Sequence, residues 1–378
     1  MNESALLEIP MITAVDLPSE GWGDWVLTQL GSTLDATVLQ GMRFVIDAML
    51  MPRPDHLPEM HASARPFLSG ELWEEPRRFF AFVDAPVAPV YVRSRHRRRL
   101  DGGAVIAREL FTAYQPYPGL EAFVEAPAPD DRILVEHWTH DAAVPRATVV
   151  ALHGFTMGYP RIDAVVMFAA ACFRAGYDVA LLTLPSHGAR TPHGARFSGE
   201  RFAVPQVAQL NDAVRQAVYE IHLTTGWLRQ QTQKPVGLIG LSLGGYLSSL
   251  MAGLTADLDF VIPMVPPVCM GDLAWRFFSE SRHYKSNGTA AFSREELRAA
   301  YRVHSPLTYA RRIDKTRAFI LAGRGDQIVP PEHPHSLWRH WGEPDIHWFS
   351  GSHLAPFRRG QLLAAILEHI AVCVDDGR

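Results

Sequence analysis

The sequence predicts an α/β fold, a mostly parallel sheet with helices on both faces, and three observations carry that expectation. From about Ala147 onward, short apolar runs alternate with longer helix-periodic segments, and a strand–helix–strand rhythm implies parallel strands covered on both sides. A glycine-rich turn, Gly240-Leu241-Ser242-Leu243-Gly244-Gly245, joins one such run to the helical segment after it. The chain has 378 residues, 47% of them hydrophobic, which suits one large core with additions or two modest domains.

The first hundred residues differ from the rest. Trp22, Trp25, Val26, Leu30, Leu34, Val38, Met42, Val45, Ile46, Met49 and Leu50 recur at intervals of three or four, and Ser32 with Asp35 resembles a capping box. Two consecutive amphipathic helices ending before Pro52 and Pro54 are expected. Their apolar stripe reads as core, because Asp24, Asp35, Gln40 and Asp47 are not the basic face of a membrane-surface helix. Residues 1–100 are read as an N-terminal helical extension, in which the Pro-rich stretch Pro52–Pro66 and the apolar Phe79–Val92 lead into a main domain at 101–378.

In that domain Arg132–Thr139 alternates and is expected as an antiparallel strand. Buried strands follow at Ala147–Leu152, Asp178–Leu184, Val236–Gly240, Asp259–Val265, Arg317–Ala322 and Asp345–Phe349. Helices are expected between and after them, at Arg161–Ala175, Val204–Arg229, Leu243–Gly253, Pro331–Trp341 and Leu354–Val374. Residues 268–316 form an insertion too long for an ordinary connection. It is read as a cap over the C-terminal edge of the sheet, the alternative being a surface excursion with small helices of its own.

The Gly240–Gly245 turn has the context of a nucleophile elbow, strand before and helix after. Its glycines leave room for a strained serine whose hydroxyl is lifted above the sheet, so Ser242 is the candidate nucleophile. A serine hydroxyl needs a base to take its proton and an acid to orient that base. The strand ending at Ala322 runs into Gly325-Asp326, and the strand ending at Phe349 runs into Gly351-Ser352-His353. Asp326 is therefore the expected orienting carboxylate and His353 the expected base. The strand Val149–Leu152 ends in His153-Gly154-Phe155, so the N–H groups of Phe155 and Leu243 are the candidate oxyanion donors. His153 is then a structural residue that holds the turn.

Together with Leu184-Pro185-Ser186-His187-Gly188, these motifs give the chain a resemblance to the α/β-hydrolase superfamily over about Arg132 to Val374. The resemblance implies a serine-hydrolase fold with a roughly eight-stranded sheet and no cofactor; Ser186 stands where glycine is more usual. A narrower resemblance is to the family called α/β-hydrolase domain-containing protein eighteen. It is carried by the elbow followed by Ile262-Pro263, by Asp326-Gln327-Ile328-Val329-Pro330, by His353 running into Phe357 and Gln361, and by the N-terminal extension. It implies a lipid-type ester, although Leu243 and Tyr246 stand where Met and His are expected.

The remaining features exclude more than they add. Thirty-six Lys and Arg against 40 Asp and Glu give a net charge of −4, with no global basic excess for nucleic acid or an anionic membrane. Arg93, Arg95, Arg97, Arg98 and Arg99 form one basic run, read as an exposed edge or loop before a phosphate site. Arg190, His193 and Arg196 stand near the crevice and are open to an anionic substrate. His137 with His140, and His333 with His335, lack the partners of a zinc site, so no metal is expected. Cys172, Cys269 and Cys373 read as thiols of a reducing, cytoplasmic compartment, and no apolar stretch has the length of a membrane span.

The expected activity is hydrolysis of a small-molecule carboxylic ester or thioester through an acyl-enzyme, with Trp275, Phe277 and Phe278 of the cap lining an apolar acyl pocket. The fold leaves open an amidase, lyase or cofactor-free peroxidase, or a non-catalytic binding module.

Overall fold

Among the described residues nine strands pair into one sheet, and those in the middle of the chain come from short, closely spaced runs that are apolar on both faces. The computed structural model describes residues 10–49, 57–87, 90–111, 113–124, 131–141, 145–204, 206–279 and 292–375; the side chains of 44–49 and of Phe278 lie outside the described set. In chain order the elements are α1 (Trp22–Met49), α2 (Leu57–Leu68), α3 (Glu71–Glu74), β1 (Val92–Leu100), β2 (Gly103–Phe111), β3 (Arg132–His140) and β4 (Thr148–Leu152). Next come α4 (Pro160–Val166), α5 (Ala169–Arg174), β5 (Asp178–Thr183), α6 (Val207–Thr232), β6 (Val236–Leu241), α7 (Leu243–Leu254) and β7 (Val261–Met264). The last are α8 (Met270–Phe278), α9 (Arg294–Ala300), β8 (Phe319–Gly323), α10 (Glu332–His340), β9 (Asp345–Phe349) and α11 (Arg359–Asp375).

The strand order is β1-β2-β3-β5-β4-β6-β7-β8-β9. The pairings β1·β2, β2·β3 and β3·β5 are antiparallel and the others parallel. Alternate residues serve opposite faces, as the pleat requires. Val150, Leu152 and Leu238 point into a core shared with α2, α6 and α7, whereas Val149, Ala151 and Ile239 point into a core closed by α5 and α11.

The chain differs from expectation in four places. First, the described sheet has nine strands, because Val92–Leu100 and Gly103–Phe111 form a hairpin at its edge. Strand β1 therefore lies on the N-terminal side of the domain boundary expected at 100. It carries the basic run, and its residues from Arg93 to Arg99 are all exposed, so the register comes from backbone pairing with β2 and not from an apolar alternation.

Second, the N-terminal segment is one helix of 28 residues and not two. Ser32 lies in its interior, and Asp35 is wholly buried instead of capping a terminus. Third, the face of α1 turned inward carries Thr28, Gly31, Asp35 and Leu39, while Trp22 is 80% exposed and Leu30 59%. Of the stripe expected to be core, Trp22, Trp25, Leu30 and Leu34 are thus exposed and Val26, Val38 and Met42 half-buried, while the side chains of Val45, Ile46, Met49 and Leu50 lie outside the described residues. Fourth, the helix expected over Arg161–Ala175 breaks at Phe168, whose φ is 56°. In the insertion after β7, read as a cap, Leu297, Ala300, Tyr301, Val303 and Leu307 are buried in the larger core, and residues 280–291 lie outside the described set. Among the described residues no helix is long and apolar enough to cross a membrane.

Candidate active site

Parallel strands deliver their following loops to one edge of the sheet, and the chemistry gathers where β4, β6, β8 and β9 end. At the end of β6, Ser242 takes φ 53° and ψ −109°, a conformation costly for a residue with a side chain. The turn tolerates only glycine on either side. A Cβ on Gly240 would lie 2.0 Å from the Gly244 carbonyl oxygen, and one on Gly244 would lie 2.0 Å from that of Leu152. The Ser242 N–H donates to the Met264 oxygen at 2.9 Å, and the Gly244 N–H to the His153 oxygen at 3.1 Å. These bonds fix the elbow against β7 and the β4 turn.

The structure brings Ser242, His353 and Asp326 together. His353 Nε2 is 2.9 Å from Ser242 Oγ, and its Nδ1 is 2.7 Å from Asp326 Oδ2. With Nδ1 donating to the carboxylate, Nε2 is left to accept the serine proton. Asp326 is itself held, its Oδ1 accepting the N–H groups of Ile328 at 2.9 Å and Val329 at 2.7 Å. The side chains of His353 and Asp326 are only 7% and 2% exposed, so their interaction is little screened by water. Burial works against a charged imidazole, but the charge and hydrogen bond of Asp326, with the charge of Asp35, hold His353 above its ordinary value. Burial raises the Asp326 carboxyl, against the pull of His353 and the Val329 N–H.

The β4 turn stands beside Ser242. A Cβ on Gly154 would be 3.7 Å from that of Ser242. Leu243 opens helix α7, where first-turn amides have no intrahelical acceptor, and Phe155 is half-buried at the turn. His153 is buried and fully engaged, its Nδ1 2.8 Å from the Gly154 oxygen and its Nε2 accepting the Leu184 N–H at 3.0 Å. Ser186 adopts φ 60° where a glycine would be free of strain, and His187 Nδ1 lies 2.8 Å from the Pro185 oxygen.

Other candidates go elsewhere. Arg190 is buried and spent internally, pairing with Asp131 at 2.7 Å and Glu220 at 2.5 Å, so it does not meet a substrate. Arg196 bonds Glu200 at 2.6 Å, and His193 is exposed. Trp275 and Phe277 are half-buried on α8, and Trp275 packs against the core that also holds Leu243 and Phe155. Phe278 ends that helix, and its side chain lies outside the described residues. His140 is paired with Asp178 at 2.8 Å, while His333 Nδ1 accepts the Val268 N–H at 3.2 Å. No disulfide joins Cys172, Cys269 and Cys373.

Sequence reasoning missed the role of α1. Asp24, Thr28 and Asp35 all bond the loop that carries His353. The available signal was a small and polar stripe, Thr28, Gly31 and Asp35, which is read as a solvated face when its partner lies about three hundred residues away. A cleft of about 270 Å³ flanks the N-terminal end of α1, lined by Glu20, Asp24, Arg324, His347 and Ser350. Its lining includes no member of the Ser242–His353–Asp326 relay.

No protein-family model matches the chain. It is 31% identical over 306 residues to the uncharacterized protein Rv2627c of Mycobacterium tuberculosis (strain ATCC 25618 / H37Rv), a match covering 79% of this chain and 70% of that one. The uncharacterized protein MT2702 of M. tuberculosis (strain CDC 1551 / Oshkosh) matches to the same extent. Among solved structures, acetyl xylan esterase 1 from Thermoanaerobacterium sp. JW/SL YS485 superposes with a TM-score of 0.57 at 15% identity, covering 85% of this chain and 99% of that one. An acetyl xylan esterase from Paenibacillus sp. R4 also gives 0.57, at 14% identity over 84% and 99% of the two chains. The shared architecture is the α/β-hydrolase fold.

Proposed function

The chain belongs to the family of the M. tuberculosis protein Rv2627c, and on that premise we propose from its site that it is a serine hydrolase cleaving a carboxylic ester or thioester through an acyl-enzyme. The observation that carries the reading is the unbroken relay of 2.9 Å and 2.7 Å from Ser242 through His353 to Asp326, set on a strained elbow. Ser242 Oγ attacks the acyl carbon while His353 Nε2 takes its proton. The oxyanion of the tetrahedral intermediate is held by the N–H groups of Phe155 and Leu243, and Asp326 stabilises the imidazolium. Collapse expels the alcohol or thiol with the proton from His353. A water then repeats the sequence on the acyl-enzyme, returning the serine and releasing the acid.

Trp275, Phe277 and Phe278 support an apolar acyl chain, within a cap formed by residues 268–316. The narrower resemblance to the eighteen family rests on the residues quoted above alone and adds a lipid-type ester to the reading. That no disulfide joins Cys172, Cys269 and Cys373 agrees with a cytoplasmic setting.

The test is labelling with a fluorophosphonate probe and location of the adduct by mass spectrometry, with Ser242→Ala as control. An adduct on Ser242 is expected, together with faster turnover of octanoyl than of acetyl p-nitrophenyl esters. Failure of the folded protein to label would overturn the hydrolase reading in favour of a binding module. Fastest turnover on acetyl esters would overturn the apolar acyl pocket, and turnover of anilides alone would make the enzyme an amidase.

A further inference from the structure

The loop that carries His353 lies along helix α1 and is fastened to it residue by residue. Ser350 Oγ donates to Asp24 Oδ1 at 2.8 Å, and the Gly351 N–H to Thr28 Oγ1 at 3.4 Å. Asp35 takes the next three residues. Its Oδ1 accepts Ser352 Oγ at 2.8 Å and the Leu354 N–H at 3.1 Å, and its Oδ2 accepts the His353 N–H at 2.8 Å. Oδ2 also accepts the Gln327 N–H at 3.1 Å, from the residue that follows Asp326.

One wholly buried carboxylate thus receives four hydrogen bonds from the two loops bearing the base and its orienting acid. The chemistry specifies an acceptor-only group, because an asparagine would turn its NH₂ toward two of these donors. Close packing repeats the point. A Cβ on Gly31 would sit 2.9 Å from the Ser352 nitrogen, and one on Gly325 would sit 2.7 Å from the Thr28 oxygen.

We propose that Asp35 is a positioning residue for the general base: a carboxylate on the N-terminal helix that fixes the His353 and Asp326 loops against the nucleophile and sets a second negative charge beside the imidazole. Its consequence for turnover rests on the hydrolase reading; its consequence for the imidazole does not. The charged groups facing His353 are Asp326 and Asp35, and Arg276 on α8 faces Asp326 in turn. Both carboxylates hold the imidazole up, so removing the charge of Asp35 lowers the pH at which His353 titrates.

The experiment compares wild type with Asp35→Asn in two readouts. NMR titration of ring-labelled histidine, with the His353 signal identified by its loss in His353→Gln, needs no turnover. A downward shift of about half a pH unit or more is expected. Kinetics on a p-nitrophenyl ester are expected to show kcat lower by about 10–100-fold, KM little changed, and the acid limb displaced downward with the NMR value. A His353 titration unmoved in folded Asp35→Asn would overturn the proposal. Wild type that hydrolyses nothing would defeat the hydrolase reading alone, and the NMR result would still judge Asp35. Should Asp35→Asn not fold, Ser352→Ala removes one of the four bonds and keeps the charge. Amide exchange over Ser350–Leu354 is then expected to quicken about tenfold, and unchanged exchange would overturn the proposal.

Discussion

Two histidines flank Ser242 from opposite sides, and their surroundings push them in opposite directions. His153 ends β4 and His353 follows β9, each at the C-terminal edge of the sheet, each buried, each with both ring nitrogens engaged. The partners differ. His153 gives its Nδ1 proton to a backbone carbonyl and receives an N–H on Nε2, so a second ring proton would have to point at a donor. Burial, the neighbouring His187 and Arg190 push its pKa down to about 3 against the pull of Gly154. His353 gives its Nδ1 proton to a carboxylate and meets a hydroxyl on Nε2; despite the opposing effect of burial it is held above its ordinary value. What suits His353 and not His153 to the proposed role of base is therefore the charge on its Nδ1 partner and a proton source on Nε2, not its place at the sheet edge.

The comparison breaks most sharply at His353 itself. His353→Ala is expected to lower kcat by about 10⁴-fold or more, since among the described residues His353 is the base hydrogen-bonded to Ser242 Oγ. Residual turnover within tenfold of wild type would remove His353 from the relay. Asp326→Asn comes next, at about 10³–10⁴-fold. The amide would offer its NH₂ to Nδ1, stabilise the tautomer protonated on Nε2, and so turn the base into a donor. That loss should appear in kcat with the fold intact by circular dichroism.

A smaller effect is the position of the acid limb. His353 must be neutral to act, and its folded value is raised, so kcat/KM should fall as pH drops through a value above about 6.5. A limb below that value would mean that burial outweighs the two carboxylates. The accompanying stability has the opposite dependence to that of His153. A raised pKa contributes stability that is present below the unfolded value and lost as pH rises through the folded one.

The relay was legible because its parts are local. A strained serine advertises itself by glycines within two residues, and the acid and base follow consecutive strands, so motif and chain order suffice. The support for the relay was not. Asp35 meets His353 across 318 residues, and a carboxylate inside an apolar periodicity looks solvated until its four donors are in view. Strand β1 was missed for a related reason, since it draws its register from backbone pairing with β2 while its side chains from Arg93 to Arg99 stay in water. Arg190 failed in the other direction. Its place in the sequence suggested a substrate, but Asp131 and Glu220 had already claimed it.

The gentlest test lies on the other histidine. His153→Ala leaves the Leu184 N–H without its acceptor and loosens the turn beside Ser242. Removal of a partner from a buried donor costs about 1–3 kcal/mol of stability, with kcat expected to fall about tenfold and the acid limb unmoved. The linkage sign follows from the depressed pKa. Between about 6.5 and the folded value of about 3 the unfolded chain binds a proton that native His153 refuses, so stability is full above that window and is lost as pH falls through it. From pH 7 to pH 5 the variant should therefore lose roughly 2 kcal/mol less than wild type, measured by urea unfolding at the two pH values. An equal loss in both proteins would mean that His153 is protonated in the native state, and the contrast between the two histidines would have to be sought in something other than their Nδ1 partners.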